Sequence, residues 1–248
     1  MFGLGLTLLA GISILIGALI VFLLKNNKKL TDFSISMAVG VMVTLLIFEM
    51  IPESFELLSE KFPFSTNIII VIALALIGIL ILKILDLFIP DHDHDENVSN
   101  KNLFHIGLVS SIALILHNLI EGMAVYSTAI TDNSLGILLT VGISLHNIPL
   151  GIMITSTLYE SNNSKKKTIL ILVAIALSTL IGGALMFLLS SIINNVVRGI
   201  LLSITLGMII YIILFELLSE MITIKNKKIT ILGIIVGVGI FLLTLFFE

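Results

Sequence analysis

The sequence predicts an all-α integral membrane protein of eight transmembrane helices, with helices 1–3 and 6–8 forming an inverted repeat around helices 4 and 5. Three observations carry this reading. The chain of 248 residues is 58% hydrophobic and only 12% charged, and its mean hydropathy is +1.21. Its apolar residues gather into eight stretches, each long enough to cross the hydrocarbon core of a bilayer. Its basic residues segregate to alternate connections between those stretches. A soluble domain of this length needs far more polar surface, so lipid is the solvent for most of the chain.

The stretches follow in order. The first, 4–24, has no basic residue before it and no small-residue cleavage site after it, and it reads as a retained helix rather than a leader. The second, 33–56, carries Glu49, Glu53 and Glu56 toward its far end. The third, 66–89, leads into a polar connection at 90–102, and the fourth follows at 103–129. The fifth, 135–158, lies beyond a very short loop. The sixth, seventh and eighth occupy 168–193, 197–222 and 229–247. The breaks between them hold the charges, Asn, Ser and Pro expected of loops. None of the stretches alternates polar with apolar residues as a barrel strand would. A helix pairs its backbone groups internally, as lipid requires. The whole chain, 1–248, is therefore expected to form a single transmembrane domain.

Loop charge sets the expected orientation. Lys25, Lys28 and Lys29 lie between helices 1 and 2, and Lys83 and Lys101 flank the connection between 3 and 4. Lys165, Lys166 and Lys167 lie between 5 and 6, and Lys225, Lys227 and Lys228 between 7 and 8. All four connections fall on one side, leaving only Lys61 and Arg198 for the other. The expectation is a multi-pass protein of the cell membrane with both termini on the non-cytoplasmic side. An error of one helix in the count would scramble this segregation.

Two pairs of segments resemble each other around a midpoint near Thr131–Ser134. Helix 4 contains Leu116-His117-Asn118-Leu119-Ile120-Glu121-Gly122, and helix 5 contains Leu145-His146-Asn147-Ile148-Pro149-Leu150-Gly151. Helix 2 contains Phe48-Glu49-Met50-Ile51-Pro52-Glu53, and helix 7 contains Phe215-Glu216-Leu217-Leu218-Ser219-Glu220. Corresponding helices run in opposite directions, the inverted plan of many transporters.

An ionisable side chain at bilayer depth costs roughly 2.5–3.5 kcal/mol on insertion scales, so such residues point to function. His117 and Glu121 are four apart and share one helical face. Imidazole and carboxylate suit a borderline-to-hard divalent cation such as zinc, iron(II) or manganese. Asn118 can add an amide oxygen, and His146 and Asn147 offer the same pair of donors from helix 5. Pro149 cannot close the helical bond to the carbonyl of Leu145, which leaves an oxygen for an ion or water. A buried His–Glu hydrogen bond between helices, or a proton relay, would use the same residues. The chain has no cysteine, which removes disulfides and thiolate ligands. A net charge of -3 gives no basic excess for nucleic acid.

In these motifs the chain resembles the ZRT/IRT-like (ZIP) metal transporters. The resemblance rests on His-Asn-x-x-Glu-Gly in helix 4 and His-Asn-Ile-Pro-x-Gly in helix 5, and it covers essentially the whole chain. It implies that His117, Asn118, Glu121, His146 and Asn147 line a mid-membrane metal site, sometimes binuclear. It alone implies a homodimer. The pattern is departed from at Ile120, where a Pro is usual and whose absence predicts a straighter helix 4. It is departed from again at Leu150, where a metal-binding Glu is usual, and at Thr179, where bacterial relatives often have Glu. One site built on His117, Glu121 and His146 is therefore expected to survive, with the second weak or absent.

An entry vestibule is expected at Glu53 and Glu56 and an exit at Glu220, with Glu49 and Glu216 deeper. The tract Asp91-His92-Asp93-His94-Asp95-Glu96 has alternating donors. His92 and His94 are thus candidates to catch or sense metal in the cytoplasmic loop. His105, near the start of helix 4, is expected to have no ligand role. The leading functional expectation is transport of divalent cations, zinc foremost with iron, manganese and cadmium as further candidates, toward the cytoplasm, without an enzymatic activity and without a resident cofactor. The expected partners are the metal ions and the lipid bilayer. The alternatives are a transport-inactive metal-sensing relative and a membrane-embedded metal enzyme; the chain lacks the His-Glu-x-x-His signature for the latter, and no phosphate-binding loop suggests ATP.

Overall fold

The structure is a computed structural model that describes residues 1–24, 27–87, 98–161 and 164–246. Among the described residues there are eight helices long and apolar enough to cross a membrane, and no strand. They are helix 1 (Phe2–Leu24), helix 2 (Lys28–Ser59), helix 3 (Phe64–Leu87), helix 4 (Val98–Thr131), helix 5 (Asn133–Glu160), helix 6 (Lys165–Leu189), helix 7 (Asn195–Thr223) and helix 8 (Lys227–Thr244).

Several helices start before their apolar stretches, and their caps explain why. The first turn of a helix leaves N–H groups without partners, and short polar side chains accept from them. Asn27 Oδ1 accepts from the Leu30 N–H at 3.1 Å, so helix 2 begins at Lys28 rather than at 33. Asp132 Oδ1 accepts from the Ser134 and Leu135 N–H groups at 2.7 and 3.2 Å, which turns the chain from helix 4 into helix 5 within a single residue. Ser164, Asn194 and Asn226 cap helices 6, 7 and 8 in the same way. Helix 6 ends at Leu189, short of the expected 193, because a turn begins at Ser190. Helix 4 runs unbroken past Ile120, and helix 5 continues through Pro149.

The inverted repeat is visible in the packing. Helix 1 lies along helix 5 as helix 6 lies along helix 4, and helix 2 lies along helix 8 as helix 7 lies along helix 3. Helices 1, 4, 5 and 6 thereby form one group. Helices 2 and 8, and helices 3 and 7, form the remainder, with helices 2 and 7 touching each other. Helices 3 and 8 are mostly exposed and helices 2 and 7 mostly buried, again in matched pairs. Each of helices 2 and 7 also contains one widened π turn, at Leu46–Met50 and Ile212–Leu217. Glu49 and Glu216 sit in these turns, so the short Phe-Glu match in the sequence marks a shared backbone feature. Such turns frequently accompany functional sites.

Backbone contact through glycine sets the helix spacing in the first group. A Cβ at Gly122 would fall 1.9 Å from the Thr179 carbonyl oxygen, and one at Gly182 would fall 1.9 Å from that of Leu119. The mirrored pair joins helices 1 and 5: a Cβ at Gly151 would lie 2.1 Å from the Ile14 oxygen, and one at Gly17 2.3 Å from the Ile148 oxygen. Small residues bring membrane helices together through dispersion where no hydrophobic force between helices operates. Large apolar side chains cover the outer faces, among them Leu19, Ile69, Leu76, Leu170, Ile231 and Ile235. Lipid can solvate that surface.

Candidate metal centre

The site starts from the register of helix 4. A spacing of four residues stacks His117 above Glu121, and His117 Nε2 lies 2.9 Å from Glu121 Oε1. The one-residue connection at Asp132 returns helix 5 antiparallel against helix 4 and brings His146 level with Glu121. His146 Nε2 lies 2.7 Å from the same Oε1 atom, in hydrogen-bonding geometry. Two imidazoles from two helices therefore converge on one carboxylate oxygen. His117 is 1% exposed, Glu121 5% and His146 0%, so water does little to screen the cluster.

The donor set fits a divalent cation. One ligand atom from each residue lies within 4.8 Å of the other two. A tetrahedral zinc ion with bonds of about 2.0–2.1 Å holds its ligands roughly 3.3 Å apart. Opening the two contacts by about half an ångström would reach that spacing. The Nδ1 atoms of both histidines and Glu121 Oε2 are buried without hydrogen-bond partners. Phe241 of helix 8, fully buried, backs the His146 ring at a centroid distance of 6.3 Å.

The two asparagines are placed differently. Asn147 is fully buried, and its Nδ2 donates to the Ala10 carbonyl of helix 1 at 3.3 Å. Asn118 is equally buried, with neither amide atom hydrogen bonded. Leu150 and Thr179, the two departures from the motif, are fully buried. Among the described residues, only two groups of three His or carboxylate side chains stand close enough to hold one ion, and neither includes a carboxylate beside Leu150 or Thr179.

A cavity of about 340 Å³ reaches His117 and Glu121 from the lysine-poor side. Glu49, Glu53 and Glu56 line it together with Arg198 of helix 7. Apolar side chains of helices 4 and 5, including Ile120, Leu139 and Ile143, make the facing wall.

The second group lies toward the lysine-rich side and joins Asp86, His105 and Glu216. His105 Nε2 is 2.5 Å from Asp86 Oδ1 and 3.8 Å from Glu216 Oε1. The Tyr211 hydroxyl donates to Asp86 Oδ2 at 2.7 Å. Here His105, expected to stand apart from any ligand set, has two carboxylates beside it. The reason is that the ends of helices 3 and 4 and the π turn of helix 7 meet at one level. Asp86 is the only carboxylate in helix 3 and stands one residue before its end. Glu216 belongs to this group, whereas Glu220 does not and is half-buried near the helix end. His92 and His94 lie outside the described residues.

Comparison with known proteins bears on the same residues. Residues 90–245 match the family described as "ZIP Zinc transporter". This chain belongs to the ZIP family. Relatives named "Zinc transporter ZupT" include those of Streptococcus mutans, 31% identical over 171 residues, and Chlorobium limicola, 29% over 144. The ZupT of Chlorobaculum parvum is 27% identical over 202 residues. These alignments cover 65%, 53% and 76% of this ZIP-family chain and 65%, 54% and 75% of the relatives. The match spans most of the third-to-fourth connection onward, and so includes both His-Asn motifs.

Proposed function

We propose that the protein moves divalent cations, zinc foremost, across the membrane toward its lysine-rich, cytoplasmic side. The reading is carried by one observation: the Nε2 atoms of His117 and His146, on different helices, meet a single Glu121 oxygen at 2.9 and 2.7 Å, at the inner end of a cavity. A cation attracted by Glu49, Glu53 and Glu56 would shed water in that cavity. It would exchange this water for two imidazoles and a carboxylate, with Asn118 and Asn147 flanking. Asp86, His105 and Glu216, and then Glu220, offer the next donors toward the lysine-rich side. The relatives that match are named zinc transporters, which favours zinc as cargo and a transport role over an enzymatic one.

The chain works, in this reading, as one membrane unit whose two helix groups shift against each other around the site. Both termini then lie on the non-cytoplasmic side, as the distribution of lysines suggests. The test is zinc uptake into proteoliposomes by the parent, His117→Ala and His146→Ala. Uptake is expected from the parent and near background from both variants. Equal uptake in all three would defeat the site. Zinc binding without uptake by the parent would favour a metal-sensing role instead.

A further inference from the structure

Arg198 stands where a pathway for cations has least obvious need of a positive charge. Its guanidinium lines the outer cavity together with the carboxylates of Glu49, Glu53, Glu56 and Glu121. The side chain is only 11% exposed, and its Nη2 lies 3.6 Å from Glu53 Oε1. That separation is an ion contact, longer than a hydrogen bond. Nη1 donates instead to Asn195 Oδ1 at 3.3 Å, and Asn195 Nδ2 donates to Glu60 Oε1. Nε is buried without a hydrogen-bond partner. A guanidinium carries five N–H donors, and here only Nη1 makes a hydrogen bond among the described residues. This one is braced at one nitrogen by its own helix and leans on Glu53 through charge alone.

We propose that Arg198 is a tethered counter-cation of the vestibule, which occupies Glu53 until a divalent ion displaces it and thereby sets the affinity and valence preference of the mouth. The inference rests on the transport reading above. Coulomb attraction scales with the product of charges. A monovalent ion arriving at Glu53 replaces one unit of positive charge by another and gains nothing over the resident guanidinium. A divalent ion brings a second unit and wins. Asn195 keeps the displaced side chain at the mouth, ready to return when the ion moves inward.

The experiment is zinc uptake in proteoliposomes as a function of zinc concentration, in sodium chloride and in choline chloride at equal ionic strength, so that screening is matched. For Arg198→Gln the half-saturating zinc concentration is expected to fall roughly 2–5-fold, the size of one partly exposed ion pair. Sodium should inhibit this variant more than the parent. Arg198→Lys should retain parental behaviour, and Arg198→Gln should have no effect on half-saturation in a Glu53→Gln background. Arg198→Met, which keeps the apolar stem, provides a second neutral variant. Unchanged half-saturation and sodium sensitivity in both neutral variants would overturn the proposal, as would an undiminished effect without Glu53. Failure of both neutral variants to assemble, with Arg198→Lys intact, would make the charge a structural strut and would also overturn it. The parent and His117→Ala, run alongside, test the transport reading separately: loss of uptake in His117→Ala upholds that reading whatever Arg198 does.

Discussion

Glu121→Gln tests the centre most directly. The substitution keeps the shape of the side chain and one carbonyl oxygen but removes the negative charge. That charge lies 2.9 Å from one imidazole and 2.7 Å from the other, and the residue is only 5% exposed, so no discount for solvent screening applies. A cation bound there would be left between two neutral rings. Removing one partner of a buried charge pair costs about 3–5 kcal/mol. The amide oxygen remains as a weak donor, which places the expected loss near the lower figure, about 3 kcal/mol or roughly 150-fold in zinc affinity. The assay is calorimetric zinc titration of purified protein in detergent, paired with uptake in proteoliposomes. Thermal unfolding in zinc-free buffer would separate a binding loss from a folding loss. Parental affinity and parental uptake in a folded Glu121→Gln protein would refute the assignment of the cluster as the binding site.

Three further outcomes follow from the packing and the charge distribution. Gly122→Ala should reduce stability by about 1–3 kcal/mol or more through overpacking. Its Cβ would meet the Thr179 backbone, whereas Gly5→Ala meets nothing within 4 Å and should be neutral in the same thermal melt. Phe241→Ala should cost about 3–5 kcal/mol by leaving a void behind His146, and zinc titration should show weakened binding, since the ring loses its backing. The chain has no cysteine, so single replacements report sidedness cleanly. In intact cells a membrane-impermeant thiol reagent should label Ser190→Cys and spare Ser164→Cys, and the reverse pattern would invert the orientation.

The fold was largely legible because lipid imposes simple rules. Each span must be apolar and helical, so composition alone located all eight, and the lysines confirmed the count. Boundaries were less legible because polarity marks where lipid ends, not where the helix ends. Asn27 and Asp132 extend helices into polar sequence by accepting N–H groups that hydropathy ignores. At the candidate centre, His117, Glu121 and His146 were legible because ionisable residues at mid-span are costly and their spacing fixes a common face. The asparagines beside them were read as further donors to the same site. A residue one step along a helix points about 100° away, and Asn147 accordingly turns to helix 1. Asp86, His105 and Arg198 were the least legible. Each lies near a helix end, where a charge has the bland explanation of solvent. Only the meeting of helices 3, 4 and 7, or of helices 2 and 7, shows that these ends converge.

The centre's donors and the cavity residues of helices 2 and 7 lie on different helix groups, and this has a mechanical consequence. His117, Glu121 and His146 all belong to the group of helices 1, 4, 5 and 6, whose backbones touch at Gly122, Gly182, Gly17 and Gly151. Backbones that leave no room for a Cβ resist sliding, so the three donors are expected to move as one unit; the same close approach joins helices 3 and 7 at Gly78 and Gly207 and helices 2 and 8 at Gly40 and Gly237. Glu49, Glu53 and Glu56 on helix 2 and Arg198 on helix 7 belong to the other group, and the cavity runs along the seam between the two. On the lysine-rich side, the cluster of Asp86, His105 and Glu216 also bridges this seam, since His105 is on helix 4 while its two partners are on helices 3 and 7. In the proposed transport cycle, a relative displacement of the groups would break the His105 contacts and reshape the cavity, and it would also shift Phe241 of helix 8 against the His146 ring. Access would change in that cycle while the three donors, all within one group, stay together, and the close glycine packing inside the group is what would hold them so.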